Sequence, residues 1–250
     1  MMRIIFFGSS HGLPEPDRKC SSIMIKSGDS CYFIDMGTPP LDQLAERGIS
    51  VESVKAVFIT HMHGDHTNGL IPFIDLCNGF YTKANPEFYL PGNTEKTVSA
   101  IKEWIKCQGC TWFRDFKFNH VDDGFVYRDE KITLSAFRTG HTDESFSYLL
   151  EAEGKRVFFS GDLKIQESDN EENPDLPAEE FDKGLDLAIL ELAHFNAVDK
   201  YYKFLKDRTN INTVCINHYS SFKIASYYSL CELLPKQKFV LATDRLEFEL

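Results

Sequence analysis

Four side chains that bind metal ions stand within six residues of one another in Thr60-His61-Met62-His63-Gly64-Asp65-His66. His61 and His63 are two apart, and in extended backbone residues two apart point to the same side. They can therefore share one ion. Asp65 and His66 come as the chain turns toward the next helix, and can face a second ion. Imidazole and carboxylate suit zinc, with manganese or iron as alternatives. Two cations a few ångströms apart lower the pKa of a bridging water, polarise a substrate and stabilise a leaving oxygen. The chemistry on offer is hydrolysis by a metal-bridging hydroxide.

The apolar run Val57-Phe58-Ile59 precedes this cluster, so a strand ends there and presents the ligands in the loop beyond it. Three more candidates repeat that context. His141 follows Ala136-Phe137-Arg138-Thr139-Gly140, Asp162 follows Val157-Phe158-Phe159-Ser160-Gly161, and His218 follows Val214-Cys215-Ile216-Asn217. Glycine just before His141 and Asp162 lets the backbone turn sharply or approach closely. Four strand ends delivering His or Asp is what a convergent metal site on a rigid sheet requires.

Strand-like runs cover 3–7, 22–25, 31–34 and 56–59, with Ser27-Gly28-Asp29-Ser30 as a hairpin turn. A short helix over Leu41–Arg47 closes at Gly48. Helices follow over Thr67–Cys77 and Thr94–Lys106, the latter with Val98, Ile101 and Ile105 on one face. Strands resume at 116–121, 125–127, 132–138, 146–151 and 156–160, with Glu153-Gly154 turning the chain between the last two. Runs at 185–190, 213–216 and 239–242 alternate with helices near 200–206 and 224–233. Meanders of strands with helices before and after predict two sheets faced by helices, a layered α/β sandwich.

The chain has 250 residues, 42% hydrophobic and 26% charged, as expected of one soluble domain over 1–250. No apolar run reaches the roughly 18–20 residues of a membrane helix. The start, MMRIIFFGSSHG, lacks the features of a secretory signal, and the expected location is the cytoplasm. Seven scattered cysteines make no disulfide framework, and Cys107-Gln-Gly-Cys110 reads as a chance pair at a helix end. The formal net charge of −11 shows no basic face for gripping a long nucleic acid. Residues 167–182 carry eight acidic and no basic side chains, and are expected to form a solvated, mobile surface loop outside the metal site.

The order HxHxDH, Gly-His, Ser-Gly-Asp, Asn-His resembles the metallo-β-lactamase superfamily across nearly the whole chain. The resemblance implies a four-layer αββα sandwich with the site at one edge of the two sheets. It implies that His61, His63 and His141 hold one divalent ion, that Asp65, His66 and His218 hold a second, and that Asp162 bridges them. Asp35, after Phe33-Ile34, matches the family's buried acidic residue; it either orients a ligand histidine or caps a turn.

Fold alone does not fix the reaction. The opening Phe7-Gly8-Ser9-Ser10-His11-Gly12-Leu13-Pro14, with Arg18 and Cys20-Ser21-Ser22, resembles the ribonuclease Z and phosphodiesterase-like branch. That branch has a further histidine between the bridging Asp and the last ligand, close to the substrate phosphate. His194, in Glu191-Leu192-Ala193-His194-Phe195, fits by position. A general acid there would protonate a leaving alkoxide; a structural role beside a buried strand is the alternative. Asp65, Asp162 and His194 are thus the candidate catalytic side chains. His11 could reach the site from the first loop or lie at the surface, and His120 reads as structural or exposed.

The chain departs from ribonuclease Z in two respects. Only twenty residues separate His141 from Asp162, enough for a hairpin but not for the tRNA-gripping arm that family inserts there. The His-Glu-Ala-Thr motif is also missing. The expected substrate is a small phosphodiester, cyclic or nucleotide-derived. The alternatives are a carboxylic ester, thioester or lactone, as in the glyoxalase II and lactonase branches, or a non-catalytic metal-bound scaffold or sensor. Homodimerisation is left open.

Overall fold

The structure, a computed structural model, describes residues 1–13, 15–164, 175–194 and 198–250. The first sheet contains β1 (Met2–Gly8), β2 (Ser22–Ser27), β3 (Ser30–Ile34), β4 (Val54–Phe58), β5 (Glu87–Leu90) and β6 (Phe118–His120). The second contains β7 (Gly124–Arg128), β8 (Thr133–Thr139), β9 (Ser145–Ala152), β10 (Lys155–Phe159), β11 (Leu187–Glu191), β12 (Val214–Asn217) and β13 (Phe239–Leu241). The chain then returns to the first sheet as β14 (Glu247–Glu249), beside β1. The strand orders are β14-β1-β2-β3-β4-β5-β6 and β13-β12-β11-β10-β9-β8-β7.

Each sheet is antiparallel on one side and parallel on the other. The change falls between β3 and β4 in the first sheet and between β10 and β11 in the second. Hairpin geometry explains the antiparallel halves. Ser27 pairs with Ser30 across Gly28-Asp29. Ala152 pairs with Lys155 across Glu153-Gly154, both at positive φ, the backbone a two-residue turn of type I′ needs. The parallel halves need longer crossovers, and most of these carry the helices.

Side-chain alternation sorts the core into three layers. Ile4 and Phe6 of β1 face Tyr148, Leu150 and Phe159 between the sheets. Ile5 and Phe7 face outward, under helices α1 (Leu41–Glu46), α3 (Leu70–Gly79) and α4 (Thr94–Cys107), through Leu44, Phe73 and Ile101. The outer face of the second sheet is covered by α5 (Ala178–Asp182), α6 (Val198–Leu205) and α7 (Ile224–Leu233), through Phe181, Tyr201, Phe204 and Leu230. The result is the expected four-layer αββα sandwich. No helix among the described residues is long and apolar enough to cross a membrane.

Several elements differ from expectation. The helix expected over 67–77 is two helices, α2 (Gly64–Thr67) and α3. They part at Gly69, where a Cβ would lie 2.5 Å from the Thr38 carbonyl. Strands β5 and β14 were not anticipated, and β6 is shorter than 116–121. The acidic stretch is not simply a loop: Ala178–Asp182 is helical, and Phe181 is buried under the second sheet. Apolar Phe181 anchors that turn, Glu180 pairs with Arg156 and Lys183, and Glu179 and Asp182 stay in solvent. Residues 167–174 of the same stretch lie outside the described residues.

Candidate metal centre

The first sheet supplies its candidates from one loop after β4. Ile59 N bonds to Tyr89 O at 3.0 Å, extending the parallel pairing by one residue. Thr60 N then leaves the sheet and donates to Asp35 Oδ1 at 2.8 Å. His61 and His63 face one another, ring centroids 4.5 Å apart, as the two-residue spacing predicts. The single turn of α2 then presents Asp65 and His66. Gly37 packs against this turn so closely that a Cβ would fall 1.8 Å from Asp65 O, so no other residue fits there without displacing it.

The second sheet supplies the rest from the loops after four strands. His141 follows β8, Asp162 follows β10, His194 follows β11 and His218 follows β12. Gly161 turns at φ +55 in a space where a Cβ would sit 2.8 Å from Phe146 O. His218 itself adopts φ 47, uncommon for a residue with a Cβ. Its neighbourhood holds it there. His218 N donates to Ser9 O at 3.2 Å, and the buried Arg18 guanidinium donates to Tyr219 O at 2.9 Å while lying over the Tyr219 ring.

These loops converge on Asp162 Oδ2. His66 Nε2 lies 3.4 Å from it, His61 Nε2 3.5 Å, and His141 and His194 Nε2 each 3.6 Å. On one side His63 Nδ1 is 2.9 Å from His61 Nε2 and 3.2 Å from His141 Nε2. On the other, His218 Nε2 is 3.2 Å from His66 Nε2 and 3.1 Å from Asp65 Oδ2. Three groups thus form, His61, His63, His141, Asp162, then Asp65, His66, Asp162, His218, and beside them Glu191, His194, His218, with the ligand atoms of each within 4.8 Å of one another.

The donor set fits metal ions. Zinc–nitrogen bonds of about 2.0–2.1 Å put the corners of a tetrahedron about 3.3 Å apart, close to the observed spacings. Asp162 is almost fully buried, and its Oδ1 makes no hydrogen bond, a costly state for a carboxylate oxygen unless a cation is near. The protonation states agree. Burial, then the neighbouring His66, push His61 down to about 2, so its ring is neutral. Burial also lowers His141. Burial alone would raise Asp65 and Asp162, but the surrounding His218 and His66 hold both carboxyls well below the usual range.

Two buried carboxylates steady the histidines from behind. Asp35, at φ 59, accepts from Thr60 N and Oγ and from His66 Nδ1, the last at 2.6 Å. That fixes the His66 tautomer and leaves Nε2 facing the cluster. Burial would lower His66, but Asp162 and Asp35 together raise it well above the ordinary histidine value. Glu191 accepts from His194 Nδ1 at 3.1 Å; burial alone would lower His194, but that bond together with the Glu191 and Asp162 charges raises it.

All seven candidate ligands and His194 therefore meet at one place, and His120 is exposed as expected. His11 is not at the surface. It is 8% exposed, its ring lies 6.4 Å from that of His218, and Glu15 Oε1 sits 3.3 Å from its Nε2. Asp175, in the acidic stretch placed away from the site, accepts a hydrogen bond from Gly140 N beside His141. The Glu191 carboxylate was overlooked, although its position at the end of an apolar run matched that of the other candidates. Cys107 is exposed, Cys110 half-buried, and all seven cysteines are free.

The sequence profile of the anti-Pycsar protein Apyc1 family matches residues 2–175. The chain belongs to the Apyc1 family. Among curated relatives of this Apyc1-family chain, ribonuclease Z of Cyanothece sp. is 26% identical over 149 residues, 59% of this chain and 46% of that protein. The match thus spans about half the length of the relative. Among solved structures, the metallo-β-lactamase fold protein YhfI from Bacillus subtilis superposes with a TM-score of 0.76 at 16% identity, covering 99% of this chain and 98% of that one. The short form of human tRNase Z gives 0.71 at 18% identity, covering 99% and 98%. These superpositions establish the metallo-β-lactamase fold for the Apyc1-family chain, and its His/Asp centre is consistent with metal binding.

Proposed function

We propose that this chain hydrolyses a small phosphodiester, a cyclic nucleotide or a nucleotide-derived ester, as one hydrolase domain with two divalent ions, zinc first among the candidates. The observation that carries the reading is the convergence of His61, His66, His141 and His194 on the single oxygen Asp162 Oδ2. Membership of a family of cyclic-nucleotide-degrading phosphodiesterases supports the substrate class.

In this reading His61, His63 and His141 hold one ion, Asp65, His66 and His218 the other, and Asp162 serves both. Bound there, the ions would activate water and neutralise developing charge on the phosphoryl oxygens. The protein's own part is orientation and proton transfer. Asp35 holds His66 Nδ1 and so keeps Nε2 directed at the cluster. His194 belongs to no histidine set of either ion, yet its Nε2 lies as far from Asp162 Oδ2 as that of His141. It is placed to give a proton to the leaving oxygen, which a phosphodiester with an alkoxide leaving group needs. Between His141 and Asp162 the chain makes only β9 and β10, with no insertion to grip a folded RNA. The net charge of −11 also disfavours a long polyanion.

The test is a hydrolysis panel on metal-loaded protein. Bis(p-nitrophenyl) phosphate and 3′,5′-cyclic nucleotides should be turned over, and thioesters and lactones should not. Efficient thioester or lactone hydrolysis without phosphodiester turnover would move the chain to the glyoxalase II or lactonase class.

A further inference from the structure

Glu191 ends β11 as a carboxylate only 1% exposed. A buried carboxylate must be met by donors or protonated, and this one is met by four. Oε1 accepts from Leu163 N at 3.0 Å and His194 Nδ1 at 3.1 Å. Oε2 accepts from Ala193 N at 2.6 Å and His194 N at 3.0 Å. The donors come from two different loops. Leu163 follows Asp162 directly, and Ala193 and His194 form the turn after β11. The residue is held in place in turn: Glu191 N donates to Ser160 Oγ and Tyr201 Oη donates to Glu191 O.

We propose that Glu191 is a positioning residue that ties the Asp162 loop to the His194 loop, so that the His194 ring keeps a fixed place beside the shared carboxylate. Backbone bonds to Leu163, Ala193 and His194 set where the two loops sit relative to one another. The fourth bond, to His194 Nδ1, sets the ring rotation and requires the proton on Nδ1. His194 Nε2 is then the nitrogen that faces Asp162 Oδ2, 3.6 Å away. Ring contacts complete the seat: His194 lies edge-on to His141 at 4.5 Å and stacks on His218 at 5.5 Å and 18°. Those rings limit tilt but offer no hydrogen bond to fix rotation.

The inference rests on the phosphodiesterase reading for its kinetic consequences, but its structural core can be tested without turnover. Glu191→Gln is the informative variant. It keeps shape, but whichever way the amide is turned, its NH₂ faces two of the four donors. The first measurement is ¹⁵N NMR of the His194 imidazole in the zinc-loaded chain. The wild type should show the proton on Nδ1, and the variant should lose that signature while elemental analysis shows both ions retained. The second measurement compares a phosphodiester with an alkoxide leaving group against bis(p-nitrophenyl) phosphate. The variant should slow the first by about 10²-fold, the lower end of a general-acid contribution, and the second by less than about 5-fold. Adding His194→Ala to Glu191→Gln should then cost little more, because the two changes remove one interaction. Glu191→Asp, which keeps the charge, should restore part of the loss if the fold tolerates it; should Glu191→Gln not fold, this variant carries the same two measurements.

An unchanged His194 tautomer in the folded variant overturns the proposal. So does an equal loss on both substrates accompanied by loss of metal, which would make Glu191 a scaffold for Asp162 alone. If the wild type hydrolyses no phosphodiester, the function fails while the NMR result still decides the role of Glu191.

Discussion

Replacing Asp35 with asparagine would separate the orienting role of its carboxylate from its shape. Asparagine tolerates the left-handed backbone at φ 59 and fills the same volume. The aspartate accepts from Thr60 N at 2.8 Å, from Thr60 Oγ at 3.0 Å and from His66 Nδ1 at 2.6 Å. An amide has a single accepting oxygen. If that oxygen stays on Thr60, the NH₂ group meets the Nδ1 proton of His66. The ring must then rotate, or move its proton to Nε2, the atom 3.2 Å from His218 Nε2. Either response removes His66 as a ligand. Loss of such a partner typically lowers metal affinity 10–100-fold, equivalent to about 1.4–2.7 kcal/mol. Competition against a chromophoric chelator, with elemental analysis at each step, would resolve the two ions. The ion assigned to Asp65, His66 and His218 should weaken by that factor, and the one assigned to His61, His63 and His141 much less. Two ions retained with wild-type affinities, or an equal weakening of both, would refute the reasoning.

Asp162→Ala should stay folded yet lose at least about 10²-fold in turnover, as removal of catalytic electrostatics generally does; near-normal turnover by the folded variant would exclude Asp162 as the shared ligand. His194→Ala should slow phosphodiesters with poor leaving groups by about 10²–10⁴ and p-nitrophenyl esters much less, with metal content unchanged; equal losses would point to phosphate clamping instead. Chelation should lower Tm while leaving the far-ultraviolet circular dichroism in place. A site saturated at 1,000 times its Kd contributes about 4 kcal/mol, so a Tm indifferent to chelator would argue against tight binding.

The site was the most legible part of the sequence, because its residues share one local signal, a polar ligand at the end of an apolar run. Val57-Phe58-Ile59 before His61 and Val214-Cys215-Ile216 before His218 announce both strand and ligand. Glu191 carries that signal too, but a glutamate near a histidine does not reveal which backbone amides will close on it. His11 was ambiguous for a similar reason: its burial depends on Glu15, which also accepts a hydrogen bond from Ser221 N more than two hundred residues along the chain. Among the strands, β5 is four residues between Pro86 and Pro91, too short for alternation to register, and it exists because β4 and β6 flank it. The break between α2 and α3 comes from a tertiary contact, Gly69 against Thr38, and leaves no trace in helical periodicity.

The centre straddles the two sheets: His66 of one and His218 of the other are 152 residues apart in the chain, yet their Nε2 atoms are 3.2 Å apart. That separation sets an order of events during synthesis. In a zinc finger the ligands lie close in sequence, and the metal drives folding. Here the pocket does not exist until β12 has been made, threaded and packed, and contacts so distant in the chain form late. The apolar layer that brings the sheets together, and the two that seat the helices on them, contain no ligand. Under the proposed reading, metal loading would be a finishing step that stabilises a chain whose apolar layers are already packed.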